Sequence, residues 1–333
     1  MVAHGADATG RGAYCPVVPP SDPAELLARA RAGERRALGR LLSMVEGGGE
    51  RAQQVARLTF APSASVEQVV GLTGAPGAGK STLASGLVAA ARDSGPVAVL
   101  AVDPSSPWTG GAILGDRVRM QDHADDPGVF IRSMASRGAL GGLALAVPEA
   151  VRVLVASGYP RVVVETVGVG QAEVDVVGAV DTAVVVVTPG WGDSVQVAKA
   201  GLLEVADVFV VNKADRPGAA GARRDLEAML DLDPDRQGWR PPVLATDALS
   251  RSGVAEVWEA VDGHRRWLAA SGELEARRRR RLLDELQAIV VRRLEDELRA
   301  GSGGARWEEV TAEVLARRLD PLAAAELLAA GVH

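Results

Sequence analysis

A run of eight residues, G-A-P-G-A-G-K-S at positions 74–81, has the G-x-x-x-x-G-K-S spacing of a phosphate-binding loop. It follows the apolar run 68–73 and precedes a helix-like pattern over 82–92. In that setting glycines let consecutive backbone N–H groups turn inward around anionic oxygens at a helix N-terminus. The sequence therefore predicts a site for a nucleoside triphosphate, and an ordinary glycine-rich turn is the alternative.

Two side chains of this loop have chemistry of their own. Lys80 is expected to reach the β- and γ-phosphates, and the hydroxyl of Ser81 is expected to bind Mg²⁺. The residues predicted to contact the nucleotide here are Gly74, Ala75, Gly77, Ala78, Gly79, Lys80, Ser81 and Thr82.

Lysine is rare in this chain, which uses arginine for most of its positive charge. Of 37 basic residues only Lys80, Lys199 and Lys213 are lysines. A lysine kept in such a chain is a candidate for a position that needs a compact ammonium on a flexible stem. Two of the three lie in nucleotide-binding motifs, so a function is suspected for Lys199 as well.

A second polar motif, N-K-A-D at 212–215, ends an apolar run and predicts guanine binding. Asp215 can accept hydrogen bonds from guanine N1–H and the N2 amino group together. Asn212 can bond the O6/N7 side, and the Lys213 stem can lie along the base. Adenine has no N1–H and would leave the carboxylate facing an acceptor, so the motif disfavours ATP. The alternative is a chance polar turn after a strand.

Three carboxylates are candidates for the metal and for the attacking water. Glu165 begins E-T-V-G, where many GTPases have D-x-x-G, and Asp103 and Asp116 are candidate ligands or water-orienting groups. An Asx turn before Pro104 and a helix cap are the respective alternatives for Asp103 and Asp116. Because only Gln171 could play the part of a Ras-type glutamine, we expect slow hydrolysis alone, on the order of 10⁻⁴ to 10⁻² s⁻¹.

The apolar runs that precede these polar residues predict an α/β fold. They are apolar at consecutive positions, which is typical of strands buried on both faces, so we expect a mainly parallel sheet covered by helices. Ligands of such sheets bind at the carboxyl ends of the strands. The runs are 97–102, 161–165, 183–188 and 207–212.

The pattern of the whole chain predicts four parts. Residues 1–21 have the composition of a disordered tail, 22–65 a helical segment, 66–270 the nucleotide domain and 271–333 a helical extension. Within the extension, helices are predicted over 273–299, 306–319 and 321–330, with a break at 301–304. The arginine run 277–281 is flanked by acidic residues at helical spacing, so we expect a solvated or dimer-contact face rather than a nucleic-acid site.

Composition excludes several classes of protein. The net charge of −6 offers no general attraction to nucleic acid or to an anionic membrane. The single cysteine, Cys15, provides no disulfide framework, and the four scattered histidines provide no structural metal site. With no apolar run long enough to span a bilayer and no secretory pattern at the start, a cytoplasmic location is expected.

Taken together, the motifs resemble the MeaB/ArgK family of P-loop GTPases, which act as chaperones of adenosylcobalamin-dependent acyl-CoA mutases, typically methylmalonyl-CoA mutase. The resemblance spans about 70 to 270, and E-T-V-G-V-G-Q and D-P-S-S are its most specific parts. The matching segments are 74–82, 101–106, 110–120, 165–173, 189–196 and 212–215.

The resemblance implies a homodimer formed through the helical extension, and GTP/GDP with Mg²⁺ as ligands that gate cofactor loading and protect the mutase. It places 190–199 on a third mobile switch segment, where Lys199 would pair with a nucleotide-site carboxylate when the partner docks. The implied metal ligands are Ser81, Asp103, Asp116 and Glu165, and the implied catalytic residues are Lys80, Asp116, Glu165 and Lys199.

One segment departs from the family's pattern. Thr246, Asp247 and Ala248 lie where the family usually has T-S-A, whose backbone contacts guanine O6. Asp247 still permits the Ala248 N–H to donate, but it brings negative charge near an acceptor-rich edge. We therefore expect weaker affinity for guanine nucleotide with an unchanged preference.

Four other functions are alternatives to this one. A kinase or ATPase linked to amino-acid transport conflicts with N-K-A-D. A metal-insertion GTPase would need His/Cys clusters, and a signal-recognition GTPase would need a methionine-rich partner domain, whereas the chain has five Met. A purely structural nucleotide would show no multiple-turnover phosphate release.

Overall fold

The computed structural model of the 333-residue chain describes most of the sequence, with gaps near the nucleotide motifs. The described residues are 22–60, 66–103, 120, 122–123, 125–135, 142–166, 178–190, 205–232, 238–299 and 302–329.

A seven-stranded, all-parallel sheet forms the centre of the molecule, which confirms the predicted α/β class. Its strand order is β3-β2-β4-β1-β5-β6-β7. The strands are β1 (Gln68–Thr73), β2 (Val97–Asp103), β3 (Val129–Ala135), β4 (Arg161–Thr166), β5 (Thr182–Val187), β6 (Val208–Asn212) and β7 (Val243–Thr246).

Helices cover both faces of this sheet. Successive residues of a strand point to opposite faces, so Val69 packs with one core and Val70 with the other. The helices are α1 (Pro23–Arg31), α2 (Arg35–Gly47), α3 (Gly49–Thr59), α4 (Lys80–Arg92), α5 (Gly142–Ala156), α6 (Ala219–Leu230), α7 (Val254–Ser271), α8 (Glu273–Arg299), α9 (Ser302–Leu315) and α10 (Pro321–Ala329). Helices α1, α2, α3 and α5 pack on the Val69 face, and α4 and α7 on the other.

Two strands were not predicted because their apolar runs are short, V-F-I in β3 and V-L-A in β7. β3 lies at one edge of the sheet and includes Arg132 and Ser133, which are partly exposed. β7 lies at the other edge and has four residues. Edge strands are covered less completely than central ones, so their sequences need not be apolar at consecutive positions.

The amino-terminal helical segment is made of three helices. Gly33 (φ 91°) follows α1, and Gly48 (φ 70°) separates α2 from α3. Left-handed backbone ends a helix at little cost only at glycine. In the extension, α8 has the predicted bounds. The helix ends before the predicted break at 301–304, but the break is shorter than predicted, because α9 begins at Ser302 and includes Gly303 and Gly304.

The environment of the arginine run 277–281 in α8 differs from the predicted one. Three of its five guanidinium groups pair with two buried aspartates at the amino ends of strands, instead of facing solvent or a second copy. Arg278 donates to Asp181 Oδ2 at 2.8 Å, and Arg281 also donates to the Asp181 carboxylate. Arg277 donates to both oxygens of Asp207 at 3.0 Å. Helix α8 is therefore joined to the sheet by charge-assisted hydrogen bonds.

The two aspartates also tie neighbouring strands together. Asp181 Oδ2 accepts from Val69 N at 3.1 Å, and Asp207 Oδ2 accepts from Ala183 N at 2.8 Å. Burial alone would raise the pKa of Asp181, but hydrogen bonds and charge from Arg278 and Arg281 outweigh it and hold that pKa below its usual value. The carboxylate stays ionised in the interior because its charge is paired.

None of the helices described by the structure combines the length and the apolar character needed to cross a lipid bilayer.

Candidate nucleotide-binding site

The predicted nucleotide residues meet at one edge of the sheet. β1, β4 and β6 are parallel, so their carboxyl ends lie at the same edge, as expected for this class of fold. The loop after β1 leads into α4, β4 carries Glu165, and β6 ends at Asn212. The sheet thus gathers groups separated by more than a hundred residues of sequence.

Two positions of the phosphate loop require glycine, because other chain segments approach them too closely to leave room for a side chain. Gly74 has φ 138°, and a Cβ there would lie 2.1 Å from Val186 O. Gly79 has φ 91°, and a Cβ there would lie 2.3 Å from Asn212 Nδ2. Any side chain would combine left-handed strain with a clash. These positions therefore bring the loop against β5 and the guanine motif.

Lys80 is the first residue of α4 and is only 6% exposed. Its Nζ donates to Gly74 O at 2.5 Å and to Ala75 O at 3.1 Å, so the ammonium lies over the loop. The helix N-terminus adds partial positive charge at the same place. The ammonium charge and the positive end of the helix dipole, both suited to phosphate oxygens, are therefore concentrated here.

Ser81 and Glu165 are in direct contact beneath the loop. The Ser81 hydroxyl donates to Glu165 Oε1 at 2.6 Å, and both residues are buried. Asp103 ends β2 beside β4, since Val102 pairs with Thr166 in the register. A hydroxyl with a carboxylate is the kind of oxygen ligand set that Mg²⁺ prefers, so these residues fit that ion.

The guanine motif contacts both the phosphate loop and β7. Asn212 Nδ2 donates to Ala78 O at 2.7 Å, and its Oδ1 accepts from Thr246 Oγ1 and Ala248 N, both at 3.1 Å. Lys213 has a positive φ of 59°, and its Nζ donates to Gly77 O at 2.7 Å. These bonds join the predicted phosphate-binding and base-binding segments into one site.

The remaining predicted residues differ in where they lie. Asp215 is exposed at this edge, and Thr82 is partly buried in the first turn of α4. Asp247 lies in the turn after β7, where its carboxylate accepts hydrogen bonds from Leu249 N and Ser250 Oγ. Asp116, Lys199, Gly168 and Gln171 lie outside the described residues.

We did not predict from the sequence that Ser250 bonds to the side chain of Asp247. Its hydroxyl lies 2.5 Å from Asp247 Oδ2, and the two residues are three apart in the chain. The spacing D-x-x-S in a turn was an available signal, because short polar side chains often bond backbone or side-chain groups two or three residues away.

The family model described as "Methylmalonyl Co-A mutase-associated GTPase MeaB" matches residues 38–302 of the chain. The match covers the phosphate loop, Glu165 and the guanine motif in one alignment. The chain belongs to the MeaB family.

Several of its relatives are named GTPases. This MeaB-family chain is 47% identical over 308 residues to a putative GTPase of Pyrococcus abyssi, covering 91% of this chain and 95% of that protein. It is 40% identical over 273 residues to GTPase ArgK of Escherichia coli, covering 79% and 82%. A solved structure described as LAO/AO transport system kinase matches with a TM-score of 0.68 at 30% identity, covering 92% and 96%.

The MeaB-family chain is thus a P-loop GTPase. In the part of the chain that the structure describes, no group of three or more His, Cys, Asp or Glu residues is placed to hold a metal ion.

Proposed function

We propose that this MeaB-family GTPase is a chaperone that uses GTP to gate adenosylcobalamin loading and to protect an acyl-CoA mutase, methylmalonyl-CoA mutase being the first candidate. The observation that carries the proposal is the joining of both nucleotide motifs in a chain matched by a family named for its association with that mutase. The proposed location is the cytoplasm, with neither nucleic acid nor membrane as a partner.

The phosphates and the metal would be held by residues of the loop and of the strand ends. Lys80 and the backbone N–H groups of residues 77–82 would bind the β- and γ-phosphates. Ser81 and Glu165 would hold Mg²⁺ together with Asp103 and Asp116. The ion, when bound, neutralises charge on the phosphate oxygens. Burial of Ser81 and Glu165 favours this assignment, since electrostatic interactions are stronger where water is excluded.

The base would be held by the guanine motif and the turn after β7. Asp215 would accept from N1–H and the N2 amino group. The Ala248 N–H, which donates to Asn212 Oδ1 in this structure, would share its proton between that oxygen and guanine O6. Asn212 already fixes this turn, because its Oδ1 accepts from Thr246 and Ala248. A buried side chain with its bonds satisfied within the protein holds the recognition groups in place before the nucleotide arrives.

Hydrolysis is proposed to be slow until the mutase completes the site. Phosphoryl transfer depends mainly on positioning and electrostatic stabilisation, and many GTPases gain a missing cation from a partner or from a rearranged segment. Lys199 is the proposed cation. It would pair with a nucleotide-site carboxylate when the mutase docks.

A homodimer is proposed from the exposed side of α8. This 27-residue helix is about 40 Å long. Its exposed leucine and valine side chains recur at intervals of three and four residues, which is the spacing of a helix-pairing face. They are Leu283, Leu286, Val290 and Leu294, between 44% and 57% exposed.

Phosphate release tests the proposal. With GTP in excess, methylmalonyl-CoA mutase should raise the turnover rate at least about tenfold, and Lys199→Ala should remove the stimulation while leaving the unstimulated rate unchanged. An equal rate with and without mutase would contradict the chaperone assignment. A competing kinase or ATPase function would instead be indicated by ATP turnover that exceeds GTP turnover.

A further inference from the structure

The turn that follows β7 has an acidic residue beside the proposed base site. Asp247 precedes Ala248, whose N–H is proposed to meet guanine O6, and Ala248 N lies 3.1 Å from Asn212 Oδ1. A carboxylate free to approach this position would repel the O6 lone pairs, whereas it would attract an amino group there. The turn therefore needs a way to keep the carboxylate from the base.

Two donors within the same turn hold that carboxylate. Leu249 N donates to Asp247 Oδ1 at 3.2 Å, and Ser250 Oγ donates to Asp247 Oδ2 at 2.5 Å. Each carboxylate oxygen thus has a partner two or three residues further along the turn. The backbone bond from Asp247 N to Ser252 O, at 3.0 Å, closes the turn.

The arginine of this turn interacts elsewhere. Arg251 Nη2 lies 3.6 Å from Asp122 Oδ2. Arg251 itself has a positive φ of 63° in the loop before Gly253. Neutral donors, the Ser250 hydroxyl and the Leu249 N–H, therefore determine the direction of the Asp247 carboxylate. Gly253, which precedes α7, packs so closely against β7 that an added Cβ would lie 2.3 Å from Ala245 O, and this fixes the end of the loop.

We propose that Ser250 is a positioning residue for base selection: with the Leu249 N–H it holds the Asp247 carboxylate away from the base, so that this turn still accepts an oxygen at carbon six. The proposal rests on the proposed guanine site. It replaces the expectation that Asp247 by itself weakens guanine binding, because the carboxylate is engaged within its own turn.

Calorimetry with two nucleotides tests it. The probes are GDP and 2,6-diaminopurine riboside diphosphate, which has an amino group in place of O6 and an acceptor in place of N1–H. The loss of the N1–H contact with Asp215 is common to every variant, so the affinity ratio is compared between variants. Ser250→Ala should lower the ratio of GDP affinity to diaminopurine affinity about fivefold, since the freed carboxylate repels one and attracts the other. Ser250→Thr keeps a hydroxyl and should keep the ratio.

The variant Asp247→Ser supplies the matched background. Alone it should leave the ratio unchanged, and in the double variant Ser250→Ala should have no further effect. An equal loss of affinity for both nucleotides in Ser250→Ala, or the same loss of ratio in the Asp247→Ser background, would overturn the proposal. A wild-type chain that failed to prefer GDP over ADP would contradict the guanine site itself.

Discussion

At the scale of single residues, the residue type is most restricted where two chain segments approach closely. Gly74 and Gly79 have no room for a Cβ, and Lys80 is enclosed by the carbonyl groups of the loop that it follows. These requirements are local, so a motif of eight residues was enough to predict them. The interaction of Asp247 with Ser250 was not predicted, because its direction depends on how the turn after β7 is closed.

The rarity of lysine leads to a prediction for Lys80→Arg. The charge is kept, but a planar guanidinium cannot replace an ammonium that bonds two carbonyl oxygens in a buried position. We expect phosphate release from GTP to fall at least about 100-fold. The control is Arg224→Lys, at an exposed position, which should leave the rate unchanged. A Lys80→Arg rate near the wild-type value would show that charge alone suffices.

A buried histidine makes stability depend on pH. His264 is fully buried, and its Nδ1 lies 2.9 Å from Thr182 Oγ1. Burial lowers its pKa to about 4, against the opposing charge of Asp207. The unfolded chain therefore binds a proton that the folded chain does not bind between about pH 6.5 and 4. The free energy of unfolding should fall as pH is lowered through that window, by at most about 1.4 kcal/mol per pH unit.

Urea denaturation at several pH values between 4.5 and 7.5 checks this prediction. His264→Asn keeps a polar atom near Thr182 but does not titrate, so its unfolding free energy should depend less on pH than that of the wild type. Parallel pH dependences for the two proteins would show that His264 does not cause the effect.

At the scale of elements, the amino and carboxyl ends of the strands have different tasks. The carboxyl ends hold the nucleotide motifs, and the amino ends of β5 and β6 are preceded by Asp181 and Asp207, which receive the arginines of α8. The sequence pattern of α8 was compatible with an exposed face because acidic residues flank the arginines on the same helix. Contacts across about seventy to a hundred residues of sequence leave no local pattern.

These contacts predict unequal effects for two adjacent arginines. Arg278→Ala leaves the buried Asp181 with fewer charged partners and should lower the free energy of unfolding by about 3 kcal/mol. Arg279→Ala removes the same charge from an exposed position and should change it by less than about 0.5 kcal/mol. Guanidinium chloride denaturation measures both, and similar losses for the two variants would contradict the anchoring role.

At the scale of the whole molecule, the parallel sheet and the position of the phosphate loop could be predicted because buried strands and glycine motifs are continuous in sequence. The edge strands β3 and β7 could not, since each has an apolar run of only three residues. The link from α8 to the sheet also could not, because it is formed by pairs that are close only in space.

If the proposed dimer forms through α8, one substitution in that helix should change the oligomeric state in solution. Leu286 is 57% exposed in the middle of α8, and Leu286→Glu would place a charge in the pairing face. We expect the wild type to sediment as a dimer and Leu286→Glu as a monomer. Leu249→Glu, at an exposed position in the turn after β7, is the control and should remain a dimer. A monomeric wild type would rule out the α8 dimer.

The central claim is that one edge of the sheet holds a guanine nucleotide through residues 74–82, Glu165 and the guanine motif. Calorimetric titration of the chain with non-hydrolysable analogues of GTP and ATP, in the presence of Mg²⁺, tests it most directly. We expect the GTP analogue to bind at least about 100-fold more tightly, because Asp215 would meet two donors on guanine and an acceptor on adenine. Equal affinities would contradict it.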